Sequence, residues 1–174
     1  MQSPWLSSLP RLISPCPGPP LRHPVSLIVL HSGASAPGVA EYLGGKDIKG
    51  LSAHFAWSTR YAGFAQMVPL DKEAMHAGCG KREDCRHFEA GRCKGGFEGK
   101  RVNGCSWGIE LPGPWKQKRD ADQHDKLVAL IGELVQLASI EAIVAHSAIC
   151  KDRRDPGPGL DWTRLEKFGV RLVH

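Results

Sequence analysis

The sequence predicts an α/β domain, a single central mixed β-sheet flanked by helices, and three observations carry that expectation. Leu27-Ile28-Val29-Leu30 and Ile143-Val144-Ala145 are apolar runs rich in β-branched residues and too short for helices, as buried central strands are. The segment 121–138 repeats Leu127, Leu130, Ile131 and Leu134 at helical spacing, giving one apolar face. Strand-like and helix-like segments alternate along the chain, which is the pattern of a layered α/β fold. A chain of 174 residues suffices for one domain with a sizeable core and is too short for two ordinary ones.

The elements follow in order. Residues 1–24 hold Pro4, Pro10, Pro15, Pro17, Pro19 and Pro20 and read as a proline-rich arm, laid on the domain or partly disordered. The domain proper spans 25–174 and opens with a strand over 26–30. A small polar loop over 32–37 leads to a short helix over 39–43, and the alternation in 53–58 predicts a strand that pairs with 64–68 across a turn. A Cys- and Gly-rich insertion at about 79–105 shows no sustained periodicity. Ser106–Leu111 is a further strand, closed by Pro112-Gly113-Pro114. Asp120 and Gln123 form a capping box at the start of the main helix. Residues 140–145 return as a strand, and a last short helix begins near Asp161, burying Trp162, Leu165 and Phe168.

The chemistry sits at two strand ends. His31 and His146 each follow an apolar run and precede a serine, and His146 is followed by Asp155 in a turn rich in proline and glycine. A strand leaving the core holds its imidazole rigidly at the rim of a sheet. Two histidines and one carboxylate on separate rigid elements are the ligand set of one catalytic zinc ion, with a fourth position open to water.

The chain resembles the zinc-dependent N-acetylmuramoyl-L-alanine amidases, the family that includes phage endolysins, bacterial muropeptide amidases and animal peptidoglycan recognition proteins. The resemblance rests on five ordered motifs: Ile28-Val29-Leu30-His31, Ser52-Ala53-His54-Phe55, Met75-His76-Ala77-Gly78, Trp107-Gly108-Ile109-Glu110-Leu111, and His146-Ser147 followed by Asp155-Pro156-Gly157-Pro158. It implies that His31, His146 and Asp155 bind zinc and that Glu110 serves as general acid and base. Zinc lowers the pKa of bound water to about 7 and polarises a carbonyl, while a nearby carboxylate can carry the proton to the leaving amine. Arg153 stands where many members carry a lysine thought to stabilise the oxyanion, and arginine is not a simple copy of lysine. Ala53 stands where some phage members have a catalytic tyrosine, and Met75 replaces the tryptophan that usually precedes His-Ala-Gly. His76 is a candidate substrate contact at the cleft edge, with a structural role as the alternative, and His54 reads as a core residue in an alternating strand.

The implied activity is hydrolysis of the amide between N-acetylmuramic acid and L-alanine in peptidoglycan, with peptidoglycan or a muropeptide as substrate, in wall lysis or turnover. Two other classes stay open: a peptidoglycan-binding module without activity, and a serine hydrolase using Ser32 or Ser147, for which no G-x-S-x-G elbow is present. The formal charge of +5 accompanies no recognisable nucleic-acid-binding element, so the basic face is either solvated or drawn to an acidic polymer such as the wall. No apolar stretch reaches the roughly 20 residues that span a bilayer, and no secretory signal is evident. The expectation is therefore a monomer without membrane insertion, made in the cytoplasm and acting on the wall if it is an endolysin. Cys79, Cys85, Cys93 and Cys105 admit a second metal, two disulfides or free thiols, and Cys16 and Cys150 have no evident partner.

Overall fold

The two apolar runs become neighbouring parallel strands at the centre of a sheet. The computed structural model describes residues 3–32, 38–45, 50–78, 89–90, 93–94 and 102–174. In chain order its strands are β1 (Leu27–Ser32), β2 (Phe55–Ser58), β3 (Gly63–Gln66), β4 (Glu89–Ala90), β5 (Cys93–Lys94), β6 (Ser106–Leu111), β7 (Ala142–Ala145) and β8 (Arg171–Val173). Six of them form one sheet in the order β3-β2-β6-β1-β7-β8, and β4 pairs with β5 apart from it. Only β2 and β3 run antiparallel in the main sheet, with Ser58 opposite Gly63 across their turn, so the sheet is mixed as the sequence predicts.

Parallel strands covered on both faces carry near-continuous apolar sequence, and β1 shows why. Ile28 and Leu30 face a core that also holds Phe55, Trp107, Ile109 and Ile143, and it is closed by Leu127, Leu130, Ile131 and Leu134. Those four residues lie on helix α2 (Ala121–Leu137), and the shorter helix α1 is Val39–Leu43. Each fully buried leucine or isoleucine of that stripe contributes about 1.5–3 kcal/mol of transfer free energy. On the other face, Leu27 and Val29 pack with Ala77, Val102, Cys105, Val144 and Ile149. The Asp120 carboxylate accepts from Gln123 N at 2.8 Å while the Gln123 side chain accepts from Asp120 N, the capping box expected at the start of α2.

The strand expected over 64–68 is Gly63–Gln66, because Gln66 turns its side chain to the arm: its Nε2 donates to Pro4 O and Val68 O, and its Oε1 accepts from Leu6 N. With Leu6 buried, Leu12 N donating to Gln66 O and Gln66 N to Pro10 O, residues 10–12 cover the end of the β3 edge, while Gly18 and Leu21 bond to Glu73 and Asp71 beyond it. The last helix is a 3₁₀ helix, Trp162–Phe168, ended by Gly169 at φ 65°, a left-handed position that glycine fills without strain. It feeds β8, a strand not anticipated from sequence, since three residues at the chain end show too little alternation to stand out. Cys150, which has no evident partner in the sequence, is disulfide-bonded, as is Cys105. The loop over 33–37 and Cys79 and Cys85 lie outside the described residues, as does the side chain of Cys93. No helix among the described residues is long and apolar enough to cross a membrane.

Candidate active site

β1, β6 and β7 run parallel, so their carboxyl ends reach one edge of the sheet, where open α/β sheets bind ligands. Alternation along each strand decides which residues face the cleft there. Leu27, Val29 and His31 share a face, and the register pairs Leu27 with Ser106, Val29 with Gly108 and His31 with Glu110. His31 and Glu110 are therefore neighbours on the face opposite α2. His146 directly follows β7 and begins α3 (His146–Ile149), and Ser147 N donates to Asp155 O at 3.0 Å, tying the Asp155 loop to that helix.

Three of the residues singled out in the sequence converge. One ligand atom each from His31, His146 and Asp155 lie within 4.8 Å of one another. Asp155 Oδ2 is 3.1 Å from His146 Nδ1 and 3.4 Å from His31 Nδ1. A tetrahedral ion with bonds of about 2.0–2.1 Å has ligand-to-ligand edges of about 3.3–3.4 Å, so two imidazoles and a carboxylate at these spacings fit zinc. Among the described residues this is the one such group of His, Cys, Asp and Glu. Burial and then the repulsion of His146 lower the pKa of His31 to about 4 against the opposing pull of Asp155, so its ring is neutral at pH 7. Burial works against ionisation of Asp155, but its close contacts with His146 and His31 outweigh it and hold the carboxyl below the usual carboxylate range.

Glu110 lines the same cleft, of about 470 Å³. Burial and then the charge of Asp155 push its pKa up to about 8, against a smaller opposing pull from Arg153. Arg153 also borders the cleft, with its side chain 44% exposed and its Nε 3.8 Å from Asp152 Oδ2. Arg154 turns away and lies over the ring of Trp115, 5.4 Å from guanidinium carbon to ring centre. The two adjacent arginines thus serve different surroundings. Val39, Leu43, Leu51 and Met75 give the cleft an apolar wall, beside an exposed Tyr42.

His76 has polar partners at both ring nitrogens. Its Nδ1 lies 3.0 Å from His31 Nε2 and its Nε2 lies 3.2 Å from Ser106 Oγ, so both nitrogens are engaged inside the protein. The ring sits over Gly108, 7% exposed, and still lines the cleft beside His31 and Glu110. His54 is fully buried: Gly108 N donates to its Nδ1 at 3.1 Å and its Nε2 donates to Lys72 O at 2.9 Å, which makes it a core residue.

Arg119 is the site residue that sequence reasoning missed. It is 4% exposed, and its guanidinium donates to Pro156 O at 3.3 Å and to the Ser32 hydroxyl. Ser32 in turn donates through Oγ to Pro156 O and through its backbone N to Asp155 Oδ2. Burial lowers the Arg119 pKa to about 10 while Asp155 opposes the shift, so the group remains a cation that braces the loop bearing Asp155. In the sequence it is one of three close basic residues with Lys116 and Lys118, and nothing in that pattern separates a buried cation from two solvated ones.

Residues 21–158 match the N-acetylmuramoyl-L-alanine amidase (Amidase_2) family model. The chain is 37% identical over 106 residues to the 1,6-anhydro-N-acetylmuramyl-L-alanine amidase AmpD of Enterobacter cloacae, covering 58% of this chain and 48% of that protein. It is 31% identical over 149 residues to the AmpD of Citrobacter freundii, covering 83% of this chain and 71% of that one. The chain thus spans about half the length of the Enterobacter relative. Among solved structures, a selenomethionine AmpD derivative superposes with a TM-score of 0.71 at 25% identity, covering 96% of this chain and 97% of that one. The amidase LysC from Clostridium intestinale URNW shares the fold at a TM-score of 0.53 and 17% identity, over 84% of this chain and 87% of its own.

Proposed function

The chain belongs to the N-acetylmuramoyl-L-alanine amidase family, and from that premise we propose that it hydrolyses the amide between N-acetylmuramic acid and L-alanine, with one zinc ion held by His31, His146 and Asp155. The observation that carries this reading is the convergence of those three ligand atoms beside Glu110 in one cleft. When bound, zinc supplies Lewis-acid polarisation of the scissile carbonyl and of water.

The chain's own residues account for the remaining work. Glu110 takes a proton from the attacking water at its carboxylate and returns it to the departing alanine nitrogen, leaving a lactyl carboxylate and a free amine. A carboxyl whose pKa is raised toward neutrality is suited to carrying a proton in both directions. Arg153 borders the cleft with a permanent charge, and there it stabilises the oxygen that becomes negative in the tetrahedral intermediate. Arg119 and Ser32 hold the Asp155 loop against the end of β1. The apolar wall of Val39, Leu43, Leu51 and Met75 excludes water from one side of the bound substrate.

The AmpD relatives support a soluble 1,6-anhydro-muramyl peptide as the substrate form, and the likeness to LysC extends to the fold alone. The test incubates the zinc-loaded protein with anhydro-muropeptides and, separately, with intact sacculi, followed by mass analysis. Release of free stem peptide from the anhydro form, with little solubilisation of sacculi, is the expected result. Sacculi opened at the lactyl amide and anhydro-muropeptides left whole would assign the enzyme to wall lysis. Binding of both without cleavage would make the chain a peptidoglycan-binding module.

A further inference from the structure

We infer that His76 is a positioning residue, which together with Ser106 orients the His31 ring so that Nδ1, bare of hydrogen, faces Asp155 and His146. The inference rests on the zinc reading above. It follows from the direction of three hydrogen bonds. Ser106 Oγ lies 2.6 Å from Val102 O, and a carbonyl only accepts, so the single Ser106 proton is committed there. The contact of 3.2 Å between Ser106 Oγ and His76 Nε2 then requires the hydrogen on His76 Nε2. A neutral imidazole carries one N–H, which leaves His76 Nδ1 as an acceptor. At 3.0 Å from that acceptor, His31 Nε2 must be the donor, and His31 Nδ1 is left with an open lone pair 3.4 Å from Asp155 Oδ2. The chain has one consistent direction, running from His31 to a backbone carbonyl.

The packing keeps His76 in that role. A Cβ at position 108 would overlap the His76 ring, so Gly108 on β6 leaves the space that the ring occupies. On another side is His54, its ring centre 5.9 Å away, itself pinned between Gly108 N and Lys72 O. Gly108 and His54 thus border the ring on two sides, while Ser106 and His31 engage its two nitrogens. A metal ligand whose far nitrogen is held in this way is oriented before the ion arrives, and partners of this kind typically account for 10–100-fold in metal affinity.

The test uses the full chain, first metal-free and then titrated with zinc against a competing chelator. In metal-free wild type, nitrogen-detected NMR should show ring N–H protons on Nε2 of His31 and of His76, both protected from solvent exchange. His76→Ala should lose the protected His31 proton and bind zinc 10–100-fold more weakly, and His76→Gln, whose side-chain carbonyl can accept from His31, should recover most of the affinity. Ser106→Ala should expose the His76 proton to exchange and weaken zinc by a smaller factor, and it decides the question if His76→Ala fails to fold. A His31 ring protonated at Nδ1 in the metal-free wild type, or zinc affinity in both alanine variants within twofold of wild type, overturns the relay. A residue that only filled space would alter thermal stability and leave both readouts in place. Failure of wild type to bind zinc would overturn the metal reading itself, and the metal-free spectra would still decide the orientation of His31.

Discussion

Replacing Glu110 by Gln should do two opposite things, and the structure sets the size of each. The carboxyl has an ordinary pKa of 4.5, and burial and Asp155 raise it to about 8 in the fold. At pH 7 the unfolded chain has this group ionised while the folded chain holds it mostly protonated. The mismatch of about 2.5 pH units, at 1.36 kcal/mol each, sets an upper bound of about 3.4 kcal/mol on its cost to stability. Glu110 keeps some contact with cleft water, which reduces the figure to about 1–2 kcal/mol. Because the folded pKa is raised, the cost is absent below pH 4.5, grows as pH rises toward 8 and is constant above that. Glu110→Gln should therefore leave the stability of the metal-free protein unchanged at pH 4 and raise it by about 1–2 kcal/mol at pH 7, read by urea unfolding at both values. Turnover of the zinc-loaded variant should fall about 10²–10⁴-fold with zinc content retained. A stability change that is the same at pH 4 and pH 7 would refute the claim that this carboxyl is held protonated by its surroundings. Activity within a few-fold of wild type would refute its proton-carrying role.

Asp155→Ala should bring bound zinc well below one equivalent and abolish hydrolysis, measured by metal analysis alongside product formation, since it removes one of the three proposed protein ligands. Arg153→Ala should cost about 2.7–4 kcal/mol of transition-state stabilisation, seen as lower kcat with little change in KM, with part restored in Arg153→Lys. Arg154→Ala should change little, because its guanidinium lies over Trp115 instead of the cleft, and equal small effects of both alanine variants would remove Arg153 from catalysis. Arg119→Met should destabilise the fold by about 2–4 kcal/mol in urea unfolding and weaken zinc binding as well, because Pro156 O and Ser32 lose their buried donor and the Asp155 loop its brace.

Much of this protein is decided locally and can be read from the chain by itself. The apolar runs before His31 and His146 are too short and too β-branched for anything but buried strands, and the 3.6-residue period of Leu127, Leu130, Ile131 and Leu134 leaves one orientation for α2. The capping box at Asp120 is set by residues three apart, and the structure forms it as written. The candidate ligands are legible for the same local reason: each follows a strand or sits in a proline-glycine turn, so its backbone is fixed by neighbours a few residues away.

What tertiary structure alone decided is which side chains meet. The register of β1 against β6 sets Glu110 beside His31 across 79 positions of sequence, a relation no periodicity encodes. The same register lines up Gly108 and Ser106 beneath His76 and makes His76 a partner of His31. Arg119 looks like its solvated neighbours until the loop carrying Pro156 closes over it and takes its hydrogen bonds. Strand and helix formation depend on chemistry within a few residues. The pairing of buried polar groups depends on which elements the packed core brings together, and there the desolvation of each unpaired donor selects the partner.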